Sequence, residues 1–118
     1  MNIEEYRDFC LSLKGATEGT PFGPDVLVFK VGGKMFSLCD LKQFERINLK
    51  SDPEEAIRLR ERYPEITPGY HMNKAHWNSI DPTGSLKSEL IFQLTKESYK
   101  LIVSSLPKKD QAPFLPLD

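Results

Sequence analysis

The stretch VLVFKVGGKMFSLCDL, residues 26–41, decides the fold class of this chain. Two runs rich in β-branched and aromatic residues flank Gly32 and Gly33, and a two-glycine connection between such runs is a strong signal for a tight β-hairpin. Side chains alternate between the two faces of a strand, so Phe36 and Leu38 are expected to share one face of the second strand. The sequence therefore predicts an antiparallel hairpin here.

Regular segments continue on both sides of the hairpin. RINLK, residues 46–50, alternates as a third strand, and HWNSID, residues 76–81, is a further one. Three segments with apolar residues at helical spacing are predicted as helices, capped at their N-termini by Asn2, Asp52 and Ser85. The order helix, three strands, helix, one or two strands, helix predicts an α+β fold, in which a single antiparallel sheet has one face covered by helices.

Three further expectations concern the connections and the last helix. Residues 17–25, TEGTPFGPD, carry two glycines and two prolines and are predicted to form turns. The tail PKKDQAPFLPLD, residues 107–118, holds three prolines and is predicted to be extended or mobile. The core face of the last helix is predicted to include Leu86, Leu90, Ile91, Leu94, Leu101 and Ile102.

Composition limits the classes of protein to consider. The chain has 118 residues, of which 39% are hydrophobic and 28% charged, as in an ordinary soluble domain. No apolar run has the length of a membrane helix, and the acidic, amphipathic start is not a secretory signal. Two cysteines are too few for a disulfide scaffold, so we expect reduced thiols and a cytoplasmic protein. The net charge of −1 argues against indiscriminate DNA binding by a net basic surface.

GYHMNKAHW, residues 69–77, holds both histidines and the only tryptophan. His71 and His76 are five residues apart, a spacing that turns them away from each other on a helix and onto opposite faces of a strand. No CxxC pair or HExxH motif accompanies them, so a metal site is not expected. The trio His76, Ser79 and Asp81 lacks the elbow motif of a serine hydrolase, and both cysteines are predicted to be small buried hydrophobes. We therefore expect neither a metal nor an enzymatic activity.

Strand alternation places a set of basic side chains away from the core. Its members on the strands are Lys30, Arg46, Asn48 and Lys50, with Trp77 and Ser79 on the same face and Lys34 and Lys74 nearby. Basic donors around a stacking ring suit a nucleic-acid surface. The alternative is a solvated sheet face on which Trp77 caps a small apolar cluster.

Several phrases of the sequence resemble the MmcQ/YjbR family of small bacterial proteins. They are PFGPDVLVFKVGGKMFSL, INLKSDPEEAIRLRERYPEITPGYHMNKAHWNSI, and an amphipathic helix followed by LPKK. The resemblance implies a single cytoplasmic domain over residues 1–109, without a cofactor, followed by a tail at 110–118. It implies the order α-β-β-β-α-β-β-α, a fold like that of type III secretion chaperones. It also implies DNA binding by a "double wing" of hairpins.

The resemblance and the basic face together give a set of candidate DNA-binding residues. They are Lys34, Arg46, Lys50, Tyr70, His71, Asn73, Lys74, His76 and Trp77. The lysines are expected to contact phosphates, whereas Tyr70, His76 and Trp77 would stack on bases and Asn73 would position the loop or a base edge.

Two alternatives to DNA binding stay open. One is a protein-interaction adaptor or homodimer that uses Trp77 as its anchor. The other is a small anionic-ligand site at His71, Lys74 and His76. No membrane partner is expected.

Overall fold

One sheet of six antiparallel strands forms the centre of the molecule, in a computed structural model that describes all of residues 1–118. The strands are β1 Thr17–Gly19, β2 Val26–Val31, β3 Lys34–Asp40, β4 Ile47–Lys50, β5 Ile66–Pro68 and β6 Trp77–Ile80. The helices are α1 Ile3–Ser12, α2 Pro53–Arg62, α3 Ser88–Ser105, α4 Lys108–Gln111 and a 3-10 turn at Ala112–Phe114. In space the strands follow the order β1-β2-β3-β4-β6-β5. The predicted α+β fold with a single antiparallel sheet is confirmed.

The hairpin β2–β3 forms where the sequence predicts it, but it contains a β-bulge. Gly32 and Gly33 both have positive φ angles, of 59° and 81°, which a tight hairpin turn requires. Phe29 pairs with Ser37, whereas the next residue of β2, Lys30, pairs with Met35. Phe36 is therefore an extra residue in β3, and the side chains after it change face.

The bulge overturns one prediction about β3. Phe36 belongs to the main core, whereas Leu38 packs with Val28 in a separate cluster on the other face of the sheet. Ser37 turns to the core side, where its hydroxyl lies 2.6 Å from the Tyr6 hydroxyl. The prediction that Phe36 and Leu38 share a face is therefore wrong, because simple alternation does not hold across an inserted residue.

All three long helices pack on one face of the sheet, as predicted. The main core joins residues of the helices to one face of the strands: Tyr6, Cys10, Leu27, Phe29, Val31, Phe36, Cys39, Phe44, Ile47, Leu49, Leu59, Ile66, Ile80, Ile91, Tyr99, Ile102 and Val103. Asn2 caps α1 through the amide of Glu5, and Asp52 caps α2 through the amides of Glu54 and Glu55. We call the opposite side of the sheet the outer face.

A serine of α3 completes the hydrogen bonding between β3 and β4. The paired residues of these strands end at Ser37 and Leu49, so the next pair, Phe36 and Lys50, lies beyond the ladder at the bulge. The Ser98 hydroxyl accepts the Lys50 amide at 2.9 Å and donates to the Phe36 carbonyl at 2.6 Å. Ser98 is fully buried, and its hydroxyl bridges two backbone groups that are too far apart to meet directly.

The start and the core face of α3 differ from the prediction. The helix begins at Ser88 without a side-chain cap, and Ser85 donates its hydroxyl to the Glu65 carboxylate instead. Leu101, predicted for the core, is 38% exposed, whereas Thr95 and Ser98 are buried. Polar residues face the core here because each has a hydrogen-bond partner inside it.

Two segments predicted to be irregular have regular structure. Residues 17–19 form the edge strand β1, which pairs with β2. Beyond residue 107 the chain forms α4 and the 3-10 turn, and Phe114 and Leu117 pack against the main core. The extended tail that the sequence predicts is therefore wrong for residues 108–114. None of the helices combines the length and the apolar character that crossing a bilayer would require.

Candidate binding face of the sheet

Trp77 lies on the outer face as predicted, but its ring is not available for stacking. It packs with Val28 and Leu38, with Met35 and Met72 around them, and only 8% of the residue is exposed. The predicted role of Trp77 as a stacking ring or an interface anchor is wrong for this structure, because the ring already fills the space between β6 and the hairpin.

Gly69 explains why the loop of residues 69–76 lies against Trp77. The Gly69 amide donates to the Trp77 carbonyl at 2.8 Å. A Cβ atom on Gly69 would lie 2.7 Å from the Cβ of Trp77 and 2.8 Å from its carbonyl oxygen, closer than carbon atoms can approach. The glycine of the motif is therefore required by the close approach of two backbone segments.

Buried polar side chains attach this loop to the outer face. The Asn48 amide donates to the Tyr70 carbonyl at 3.2 Å, and the Ser79 hydroxyl accepts the Tyr70 amide at 2.9 Å. Ser79 also donates to Asn48 at 2.5 Å. Asn48 and Ser79 are both buried, so the prediction of a solvated face at these two residues is wrong. The loop covers part of the face that alternation alone leaves open.

The remainder of the loop is held by its own backbone. The Asn73 carbonyl accepts the amides of His76 and Trp77, and its side chain accepts the amide of Ala75 at 3.0 Å. Lys74 donates its ammonium to the Gly69 carbonyl at 3.3 Å. Asn73 therefore holds the turn that carries Lys74.

Arg60 of α2 is a residue of this region that sequence reasoning did not select. Its guanidinium donates to the Lys74 carbonyl at 2.9 Å and to the Asn78 side chain at 3.2 Å. The contacts join α2 to the loop across residues that are distant in sequence, so helical spacing gives no signal for them.

Three lysines line up across one end of the outer face. Lys30 of β2 pairs with Met35, and Lys50 of β4 pairs with Trp77, beside which lies Lys74. None of the three has a carboxylate oxygen within 4.0 Å. We call Lys30, Lys50 and Lys74 the lysine row.

Lys34 is exposed but does not belong to this row. It pairs with Val31, whose side chain is in the main core, so Lys34 leaves the hairpin end on the helix-covered side of the sheet. The sequence-based grouping of Lys34 with the outer-face lysines is corrected by the register of the hairpin.

The other end of the outer face holds a cavity of about 330 Å³. Its walls are mostly apolar and come from the hairpin, β4, the 69–76 loop and the turn before β2: Phe22, Val26, Met35, Leu38, Cys39, Asp40, Arg46, Asn48, Tyr70, His71 and Met72. Phe22, 61% exposed, was missed by the sequence analysis. A bulky aromatic residue between glycines and prolines, with no strand or helix to hold it, is the signal that could have found it.

Arg46, Tyr70 and His71 meet at this cavity. The Arg46 guanidinium lies 4.0 Å above the centre of the Tyr70 ring, and the centres of the Tyr70 and His71 rings are 4.0 Å apart. Lys74 and His76 do not line the cavity. The predicted candidates are therefore divided between two places, a basic end and an apolar end with one arginine.

The structure contains no assembled nucleophile. The Ser79 hydroxyl is bonded to Asn48, and Asp81 accepts the amide and hydroxyl of Thr83, so these residues form no catalytic trio. Burial raises the pKa of the Cys39 thiol to about 12 and raises the pKa of Cys10 further. Both thiols are therefore protonated at neutral pH, which suits the predicted role of small buried hydrophobes. No three potential metal ligands among His, Cys, Asp and Glu come together.

The fold and this face define a class of small single-sheet α+β proteins with helices on one side and a loop-covered outer face on the other. The chain belongs to the YjbR family, whose pattern it matches over residues 11–101. The resemblance inferred from the sequence phrases is thereby confirmed.

Individual relatives and solved structures agree with this assignment. The chain is 47% identical to the Escherichia coli protein YbdF over 92 residues, which are 77% of this chain and 75% of that one. It is 30% identical to Escherichia coli YjbR over 110 residues, 92% and 93% of the two chains. Both relatives are described as uncharacterized. A crystal structure of a Deinococcus radiodurans protein superimposes with a TM-score of 0.91 at 36% identity, covering 98% of this chain and 89% of that one.

Proposed function

We propose that this chain is a non-enzymatic DNA-binding module of the YjbR family that contacts phosphates through the lysine row. The observation that carries the proposal is the alignment of Lys30, Lys50 and Lys74 across one end of the outer face, each without a carboxylate partner. The family resemblance supports the same activity. The hairpins β2–β3 and β5–β6 would serve as the two wings.

Unpaired lysines favour phosphate binding for a simple electrostatic reason. A lysine that already pairs with a carboxylate must give up that pair, whereas a free lysine only exchanges water and counterions for phosphate. Because the whole chain has a net charge of −1, the attraction would be local and weak, and it would fall steeply as salt rises.

The exposed rings of the motif have more limited roles than the sequence suggested. Trp77 is buried, so base stacking would rest on Tyr70, which is 50% exposed and carries Arg46 on one face of its ring. In this proposal the lysines supply most of the affinity and Tyr70 contributes at the margin, which favours binding without strong sequence preference.

A charge-matched pair of variants tests the proposal. We would replace the lysine row by glutamine in one variant, and in the control replace Lys87, Lys108 and Lys109, three exposed lysines outside the row that also lack ion pairs. Both variants change the net charge by the same amount. Fluorescence anisotropy with labelled duplex and single-stranded DNA, at low and moderate salt, measures the affinity of each.

We expect wild type and control to bind in a salt-dependent manner. The lysine-row variant should lose most of its affinity, and its salt dependence should fall by about three phosphate contacts. Absence of binding by the wild type, or an equal loss in both variants, would show that the proposal is wrong.

Three other expectations remain predictions. The adaptor alternative loses its proposed anchor because Trp77 is buried, but a sizing column can still test for a dimer. The anion set of His71, Lys74 and His76 does not line one cavity. A cytoplasmic location is consistent with two free cysteines.

A further inference from the structure

The cavity on the outer face has the character of a small-molecule site. Val26, Leu38 and Met72 supply apolar wall, and Phe22 and Tyr70 supply two partly exposed rings. Its volume of about 330 Å³ is at the small end of ligand sites, which are mostly apolar with a few polar groups that orient the ligand.

Arg46 is the cavity's unpaired cation. Its guanidinium is held over the Tyr70 ring, and it has neither a carboxylate oxygen within 4.0 Å nor a hydrogen bond from its side chain to the rest of the protein. Stacking on an aromatic ring fixes the plane of a guanidinium and leaves its N–H donors at the edge free. Arg46 is thus oriented and has donors to spare.

The acidic residue at the cavity does not occupy this arginine. One Asp40 oxygen accepts the amides of Glu45 and Arg46, at 3.0 and 2.8 Å, and the other accepts the amide of Gln43 at 3.3 Å. Asp40 therefore closes the turn between β3 and β4, and this turn places Arg46 at the cavity.

We infer that this cavity binds a small organic anion, with its apolar body against Leu38, Val26 and Met72 and its carboxylate, sulfonate or phosphate group on Arg46. His71, whose ring lies beside Tyr70, is the second polar side chain able to donate to the anion. The inference is independent of DNA binding, since Arg46 precedes β4 whereas Lys50 of the lysine row ends it.

A pair of fluorescent probes separates the apolar and the anionic parts of this recognition. The first is 8-anilinonaphthalene-1-sulfonate, and the second is N-phenyl-1-naphthylamine, which has the same ring system without the sulfonate. Both would be titrated into the full chain. Unlabelled 1-naphthoate and inorganic phosphate would then be tested as competitors, to distinguish an organic anion from a free phosphate.

The chain itself offers a matched control for Arg46. Arg62 also lies over a tyrosine, with its guanidinium 5.2 Å from the centre of the Tyr63 ring, but it is on α2 and outside the cavity. Arg46→Met and Arg62→Met remove the same charge from the same kind of stacked pair. Val26→Trp fills the cavity from its wall, and circular dichroism checks that each variant is folded.

We expect Arg46→Met to weaken the sulfonate probe at least about tenfold, the loss typical of a charge-assisted hydrogen bond, and to leave the neutral probe nearly unchanged. Arg62→Met should change neither, Val26→Trp should weaken both, and 1-naphthoate should compete whereas phosphate alone should not. Equal effects of the two arginine variants, or no binding of either probe, would overturn the inference. So would a dimer that Phe22→Asp converts to a monomer, because the cavity would then be covered by a second copy.

Discussion

Replacing Ser98 by alanine should destabilise the protein far more than a serine-to-alanine change normally does. Its hydroxyl is the only side-chain group that joins the Lys50 amide to the Phe36 carbonyl at the end of the β3–β4 ladder. The Ser51 amide donates to the His76 carbonyl of β6, so the neighbouring Lys50 amide points the other way, towards β3. Without the hydroxyl, this amide has no partner in reach.

The size of the effect follows from the two groups that lose their partner. A buried backbone group left without a hydrogen bond costs about 1–3 kcal/mol, and Ser98 bonds two such groups in a fully buried position. Alanine is the better helix former, which returns roughly 0.5 kcal/mol. We therefore expect the free energy of unfolding to fall by about 2–4 kcal/mol, a large share of the roughly 5–15 kcal/mol of an ordinary domain.

Urea unfolding measures this loss, and another serine of the same helix is the control. Ser105 is exposed and its hydroxyl bonds only the Ile102 carbonyl one turn earlier, so Ser105→Ala should change the free energy of unfolding by less than about 0.5 kcal/mol. Hydrogen exchange should show faster exchange of the Lys50 amide in Ser98→Ala. If the two variants are equally stable and that amide stays protected, the bridging role of Ser98 is refuted.

Three further predictions use the loop, the thiols and one carboxylate. Gly69→Ala places a methyl group against Trp77 and should cost about 1–3 kcal/mol in urea unfolding, whereas a neutral result would mean that the loop yields freely. Both cysteines should react with a disulfide reagent at pH 8 only after unfolding, because burial raises their pKa, and fast labelling of the native protein would contradict this. The hydrogen bond from Ser85 lowers the pKa of Glu65, so its stabilising contribution is present above the unfolded-state pKa and is lost as pH falls through the folded-state pKa; Ser85→Ala should raise the Glu65 pKa measured by NMR, and an unchanged value would be the contrary result.

Local sequence signals were sufficient for most of the fold. The two glycines of the hairpin, the caps Asn2 and Asp52, and the apolar spacing in α1 and α2 each have a physical cause within a few residues of the element that they predict. The edge strand β1 escaped prediction because its three exposed residues carry no alternation and are held only by pairing with β2.

The candidate site was less predictable because its depth depends on contacts between distant residues. Alternation correctly placed Asn48, Trp77 and Ser79 on the outer face, but it says nothing about what lies above them. The loop that covers them is attached through the bonds of Asn48 and Ser79 to Tyr70, over 22 and 9 residues of sequence. Burial of this kind follows from tertiary hydrogen bonds, for which a single sequence gives no period.

The β-bulge at Phe36 connects the fold to the candidate site. If β3 continued from Met35 without it, Leu38 would face the core and Ser37 would face outward. The extra residue instead sends Leu38 to the outer face, where it joins Val28 under the apolar cavity. The same irregularity ends the ladder at Lys50 and makes room for the Ser98 hydroxyl. The residue that breaks the simplest strand rule therefore creates the apolar wall for the proposed ligand, and the gap that it leaves is closed from the helix side.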